Sequence, residues 1–127
     1  MKSLKIIFLV MLFLIFFPSN SLFAIPDDHW VDGPVKVFRD QGNRVLIKTK
    51  SMINPDNCSD PSHYYLAMTG SEKERRYRQD VRDAYIAYQE FSLGMTPGIV
   101  FNPRIGLYGC SGGGGTGFPI IYEVFAD

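Results

Sequence analysis

The sequence predicts a mixed α/β domain, mainly antiparallel β, with five strands and one long helix in the order β-β-β-α-β-β and one disulfide. Three observations point there. Short runs rich in Val, Ile and aromatic residues alternate at period two between turns containing Gly, Asn and Pro. One stretch switches to helical periodicity behind a capping signal. Cys58 and Cys110 both fall in turn-rich segments outside these elements.

Before the first strand comes a leader. Lys2 and Lys5 precede an uninterrupted apolar run over residues 6–17, and Pro18 to Ser21 breaks it before Leu22-Phe23-Ala24. That is the layout of a secretory signal peptide, with cleavage after Ala24 or, as a second choice, after Ser21. The run is shorter than the roughly 20 residues that span a bilayer, so no stable membrane insertion is expected after processing. The remaining 25–127 form one domain of about 100 residues. The whole chain has 13 basic and 13 acidic side chains. Losing the two leader lysines leaves a slightly acidic domain, which argues against a dominant polyanion-binding role. The expected destination is the periplasm or the medium.

Along the domain, residues 25–33 read as an entry arm turning at Asp32-Gly33, with Trp30, the single tryptophan, packing it down. Residues 34–39 and 45–50 alternate on either side of Asp40-Gln41-Gly42-Asn43 and predict a hairpin. Residues 51–62 are turn-rich, and 64–68 predict a third strand. Ser71 and Glu74 form a capping box, and Tyr77, Val81, Ala84, Tyr88 and Phe91 share one stripe, so a helix is predicted over about 72–92 with Gly94 ending it. Glu74 and Arg78 are spaced to pair along that helix. A fourth strand is predicted over 97–101, an extended piece over 104–109, a mobile Gly-rich loop over 111–117 and a last strand over 120–125.

Five strands leave an apolar face to cover. Curling into a barrel plugged by the helix does so, and an open sheet with the helix across one face is the competing solution. Five strands with a helix between the third and fourth is the wiring of the oligomer-binding (OB) barrel, and an OB-like barrel is the expected architecture. With only two cysteines, Cys58 and Cys110 have one intramolecular pairing, expected to be a structural bridge in an oxidising compartment.

The Val/Ile-rich second strand, Cys58 followed by Tyr64-Tyr65-Leu66, the tyrosine-rich helix and Cys110 before the last strand together give the chain a resemblance. It resembles small exported bacterial proteins of OB type, some of which look like cell-binding B subunits of AB-type toxins. The resemblance covers most of residues 34–126 and rests on arrangement, without a diagnostic motif. It implies a bridge from the region before the third strand to that before the fifth, and ring-shaped homo-oligomers holding glycans. No sugar-contacting motif carries over residue by residue.

Chemistry-bearing residues are sparse. His29 and His63 sit in polar loops and are expected to be exposed side chains, and no zinc-ligand spacing appears. The Gly-rich stretch lacks the lysine and following helix of a phosphate loop. Gly109-Cys110-Ser111-Gly112 lacks the strand-to-helix elbow of a serine nucleophile. No catalytic residue, metal or cofactor is therefore expected, and nucleic acid is not an expected partner. Among seven tyrosines, Tyr77 and Tyr88 belong to the buried stripe. Tyr65, Tyr85 and Tyr108 are the candidates for an exposed recognition platform. The expected function is an exported, non-catalytic binding or accessory module with a protein or glycan partner. The competing reading is a structural or stress-protective envelope protein without a discrete ligand site, and a small hydrolase built on Ser111 is the third.

Overall fold

A computed structural model describes residues 24–95 and 102–126, so the leader apart from Ala24 and the strand predicted over 97–101 lie outside the described residues. Within them the elements are β1 (Trp30–Asp32), β2 (Val35–Asp40), β3 (Arg44–Thr49), β4 (Tyr64–Ala67), α1 (Glu72–Ser92), β5 (Arg104–Cys110) and β6 (Pro119–Phe125). They form one mixed α/β unit with a six-stranded sheet in the order β1-β5-β6-β4-β3-β2. Every ladder is antiparallel except β4 with β6, which run parallel through the pair Tyr65↔Ile120.

The sheet is open, because no ladder joins its edge strands β1 and β2; the barrel expected from the sequence is not closed by hydrogen bonds. Those edge strands are nonetheless consecutive in the chain, separated by Gly33 and Pro34, which are joined by a cis peptide bond. The ladders change hands there. Gly33 N–H donates to Pro103 O at 2.9 Å on the β5 side, and Lys50 N–H donates to Pro34 O at 3.1 Å on the β3 side. One run of chain thus supplies both margins of the sheet.

Two expectations about strands change. Residues 30–32, read as an entry arm, are a strand of only three residues whose partner β5 lies far away in sequence, so no local pattern marks it. Residues 104–110, read as a short extended piece, form a full strand between β1 and β6. Gly106 explains how they meet: a Cβ there would lie 2.5 Å from Ile25 Cδ1 and 2.9 Å from the Trp30 ring. Trp30 therefore lies across the strand, stacked on Phe125 at 5.6 Å, and does hold down the arm.

The core lies between the inner face of the sheet and α1. Paired residues share a face, and the pairs Val45↔Leu66 and Ile47↔Tyr64 are buried against Val81 and Ala84 of the helix. Tyr64 keeps its hydroxyl satisfied by accepting the Ile53 N–H at 2.8 Å. The capping box forms as predicted, with Ser71 Oγ accepting Glu74 N–H and the Glu74 carboxylate accepting Ser71 N–H. Gly94, at φ 77°, follows the last turn. Glu74 is committed to the cap, so Arg78 reaches instead toward Asp40 at 3.8 Å, replacing the expected Glu74–Arg78 pair. The buried stripe is Val81, Ala84 and Ala87, while Phe91 at its far end is 67 % exposed.

Cys58 and Cys110 are bridged, with Cα atoms 5.6 Å apart. The bridge ties the turn segment 54–62 to the Gly-rich loop, which is bonded rather than loose. Ser59 and Asp60 N–H donate to the carbonyls of Gly115 and Gly117 at 3.0 and 2.9 Å, and Gly117 N–H donates to Ser59 Oγ at 3.0 Å.

Candidate functional site

The outer face of the sheet is built by alternation. Phe38 packs into the core and stacks on Tyr85 of α1, so its neighbours Val37 and Arg39 point outward. Following the pairs Val37↔Lys48, Arg39↔Leu46, Leu46↔Tyr65 and Tyr65↔Ile120 carries that face across β3 and β4 to β6. On β6, Pro119 and Ile121 are buried, which leaves Phe118, Ile120 and Tyr122 in an outward row.

Aromatic neighbours flank both ends of the row. Tyr65 stacks on Phe118 with centroids 6.5 Å apart, and His63 meets the same ring edge-on at 6.1 Å. At the other end Tyr108 meets Tyr122 edge-on at 6.3 Å, the two being 45 % and 41 % exposed. Both tyrosines sit at shifts of register. Tyr122 falls between the partners of Gly106 and Leu107, and Tyr108 falls in the shift between Leu107 and Cys110, beside Gly109 at φ 81°. Bulges of this kind re-aim side chains out of simple alternation.

Each end also carries a cation over a ring. Arg44 Cζ stands 5.9 Å from the Phe118 centroid, and Lys73 Nζ stands 5.6 Å from Tyr122 and 5.7 Å from Tyr77. Lys73 also borders a cleft of about 190 Å³ between the start of α1, the end of β4 and the middle of β6, with Ser71, Glu74, Tyr77 and Tyr122 on its walls. A separate hollow of about 230 Å³ lies between the second half of α1 and Pro34; its lining is mainly apolar, with Lys50 as the titratable cation.

Of the sequence-selected tyrosines, Tyr65 and Tyr108 lie at opposite ends of this row. Tyr85 does not join them, because the helix crosses so that its ring faces Phe38 and packs against the core. Phe118, Tyr122 and Arg44 were not singled out from the sequence. The outward spacing of 118, 120 and 122 was there to be read, but the bulges that turn Tyr108 and Tyr122 toward each other leave no sequence signature beyond Gly109.

The histidines differ from their expected exposure. His29 is buried, and both of its nitrogens meet carboxylates: Nδ1 with Asp28 at 2.7 Å and Nε2 with Asp56 at 3.0 Å. Asp56 also accepts Gly109 N–H at 2.8 Å. Carboxylates only accept, so this arrangement is that of the imidazolium, which donates from both nitrogens. The Asp28 hydrogen bond, then that of Asp56, raises the His29 pKa above its ordinary value against the opposing effect of burial. His63 has Nδ1 beside Ser62 Oγ at 3.0 Å and a buried Nε2 with no hydrogen-bond partner among the described residues. Its pKa is lowered, by burial first and then by the charges of Lys48 and Arg39, with Asp60 opposing.

Among the described residues, no group of three or more His, Cys, Asp and Glu side chains is placed to hold a metal ion, and no helix is long and apolar enough to cross a membrane. Ser111 Oγ accepts the N–H of Phe118 at 2.8 Å, and the hydrogen bonds of His29 and His63 go elsewhere. Comparison with protein-family models, curated proteins and solved structures finds no match to this chain.

Proposed function

We propose that the protein is an exported, non-catalytic binding module that recognises a protein or glycan partner through the outward row of β6. The single observation that carries this reading is the row itself: Phe118, Ile120 and Tyr122 in line, with Tyr65 and Tyr108 at its ends. Aromatic side chains gathered on one sheet face combine apolar area with polar handles, as recognition surfaces do. The bridge between Cys58 and Cys110 supports residence in an oxidising compartment, in line with the leader over residues 1–24. Ser111 is engaged with the backbone away from either imidazole's bonds, which favours binding over hydrolysis.

The OB-like reading of the fold belongs to the same proposal. Its support is the strand order, the parallel β4–β6 pair and the sharing of both sheet margins by one run of chain at Gly33-Pro34. Resemblance to toxin B subunits adds the expectation of a homo-oligomer, which the solution mass tests directly.

The deciding experiment is nuclear magnetic resonance mapping of the backbone amides while oligosaccharides are added, alongside the variant Tyr122→Ala. Shifts concentrated at residues 118–122, abolished in the variant, are the expected result. If neither added glycans nor self-association perturbs that row, the binding reading is wrong and an envelope protein without a discrete site takes its place.

A further inference from the structure

The row is bordered by Arg44 and Lys48 near Phe118 and by Lys73 near Tyr122. Among the described residues, no carboxylate lies within ion-pair distance of Arg39, Arg44, Lys48 or Lys73. Arg39, Arg44 and Lys48 stand on the outer face of β2 and β3, on the same side as Tyr65, and Lys73 stands at the opposite end beside Tyr122. His63, half-buried beside Phe118, has its pKa lowered by burial first and then by the charges of Lys48 and Arg39, in keeping with that register. Among the described residues, Asp60 is the acid that acts on His63, and Asp40, at the end of β2, is engaged by Arg78. A domain that is slightly acidic as a whole thus gathers positive charge on its aromatic face.

We infer that this face binds a linear acidic glycan, whose carboxylate or sulfate groups meet Arg44 and Lys48 at one end of the row and Lys73 at the other. The inference rests on the binding reading above and names its ligand class. From Phe118 to Tyr122 the row spans about 13 Å of extended chain, room for a short oligosaccharide lying along the strand. Single-stranded nucleic acid fits less well, because base stacking needs open ring faces. Here Phe118 is occupied by Tyr65 and by Arg44, and one face of Tyr122 lies under Lys73. An acidic protein segment fits less well too, since a protein anchor wants a desolvated pocket and Leu46, at the middle of this face, is already covered. What the face presents outward is charged heads between ring edges, which suits a ligand of hydroxyls and anions.

The test uses protein expressed from its full-length gene and four probes: hexagalacturonate, a heparin hexasaccharide, the methyl ester of the hexagalacturonate, and the oligonucleotide dT12. At least one acidic sugar is expected to shift residues 44–48 and 118–122. That binding should weaken on raising salt from about 20 to about 200 mM. It should also fall about tenfold in the double variant Arg44→Ala/Lys48→Ala, with unchanged thermal midpoint. The ester and dT12 should bind at least about tenfold more weakly than the acidic sugar. If the ester binds as tightly and the double variant is indifferent, the acidic inference fails while the row remains a glycan site. Equal binding of dT12 at the same residues overturns it in favour of nucleic acid. If no probe moves the row, and Tyr122→Ala is equally silent, this inference and the binding reading fall together.

Discussion

His29 and His63 titrate in opposite senses because their surroundings differ. The folded pKa of His29 is raised above 6.5 by Asp28 and Asp56, so its contribution to stability is complete below about pH 6.5 and fades as pH rises through the raised value. For Asp56, burial pushes the carboxyl up, yet the Gly109 N–H and His29 outweigh it and the pKa falls below 3.8; that contribution is lost only as pH drops through the lowered value. The folded pKa of His63 is lowered below 6.5, so the ring costs stability as pH falls from 6.5 toward its lowered value. Urea midpoints measured across pH 5 to 8.5 should therefore separate the two. His29→Gln should remove the decline on the alkaline side, and His63→Gln should remove the loss on the acid side. Identical pH profiles in both variants would contradict the placement of both rings. Neither environment was legible in the sequence, since the second carboxylate on His29, that of Asp56, is brought beside it only by the fold.

At the scale of the element, α1 was legible because its signals are local. A capping pair three residues apart and an apolar period are written in consecutive residues, and the helix spans Glu72–Ser92 as read. Ser71→Ala should cost about 1 kcal/mol in urea unfolding, since it strands the Glu74 N–H. What the period did not give is which neighbour each side chain meets: Tyr85 faces Phe38 because of the way α1 crosses β2, and Phe91 is left largely exposed. Strand β1 was illegible for a related reason, having three residues and a distant partner. Gly106 is the sensitive point of that partnership. Gly106→Ala should destabilise by about 1–3 kcal/mol through overpacking against Ile25 and Trp30. Trp30 fluorescence should shift as the indole is displaced, and an unchanged spectrum with full stability would refute that packing.

For the molecule as a whole, the bridge between Cys58 and Cys110 is a covalent long-range restraint, its ends 52 positions apart in sequence. Closing a loop of that length removes roughly 4 kcal/mol of unfolded-chain entropy, a large share of what a domain of about 100 residues holds. Reduction, or Cys58→Ala/Cys110→Ala, should lower the urea midpoint correspondingly, and an unaffected midpoint would mean that the paired turn segments hold each other without it. The pairing was legible from a count of two. The open form of the sheet was not, because strand order depends on contacts such as Tyr65↔Ile120 that no local pattern encodes. The hand-over at Gly33-Pro34 has a mechanical meaning. Load applied at the amino end meets the three-residue seam with β5 first, and only after that zips apart does tension arrive at the longer hairpin behind it. A tethered molecule would yield there as at a perforation, shedding its arm in one small extension while the helix, the bridge and the remaining strands keep their places.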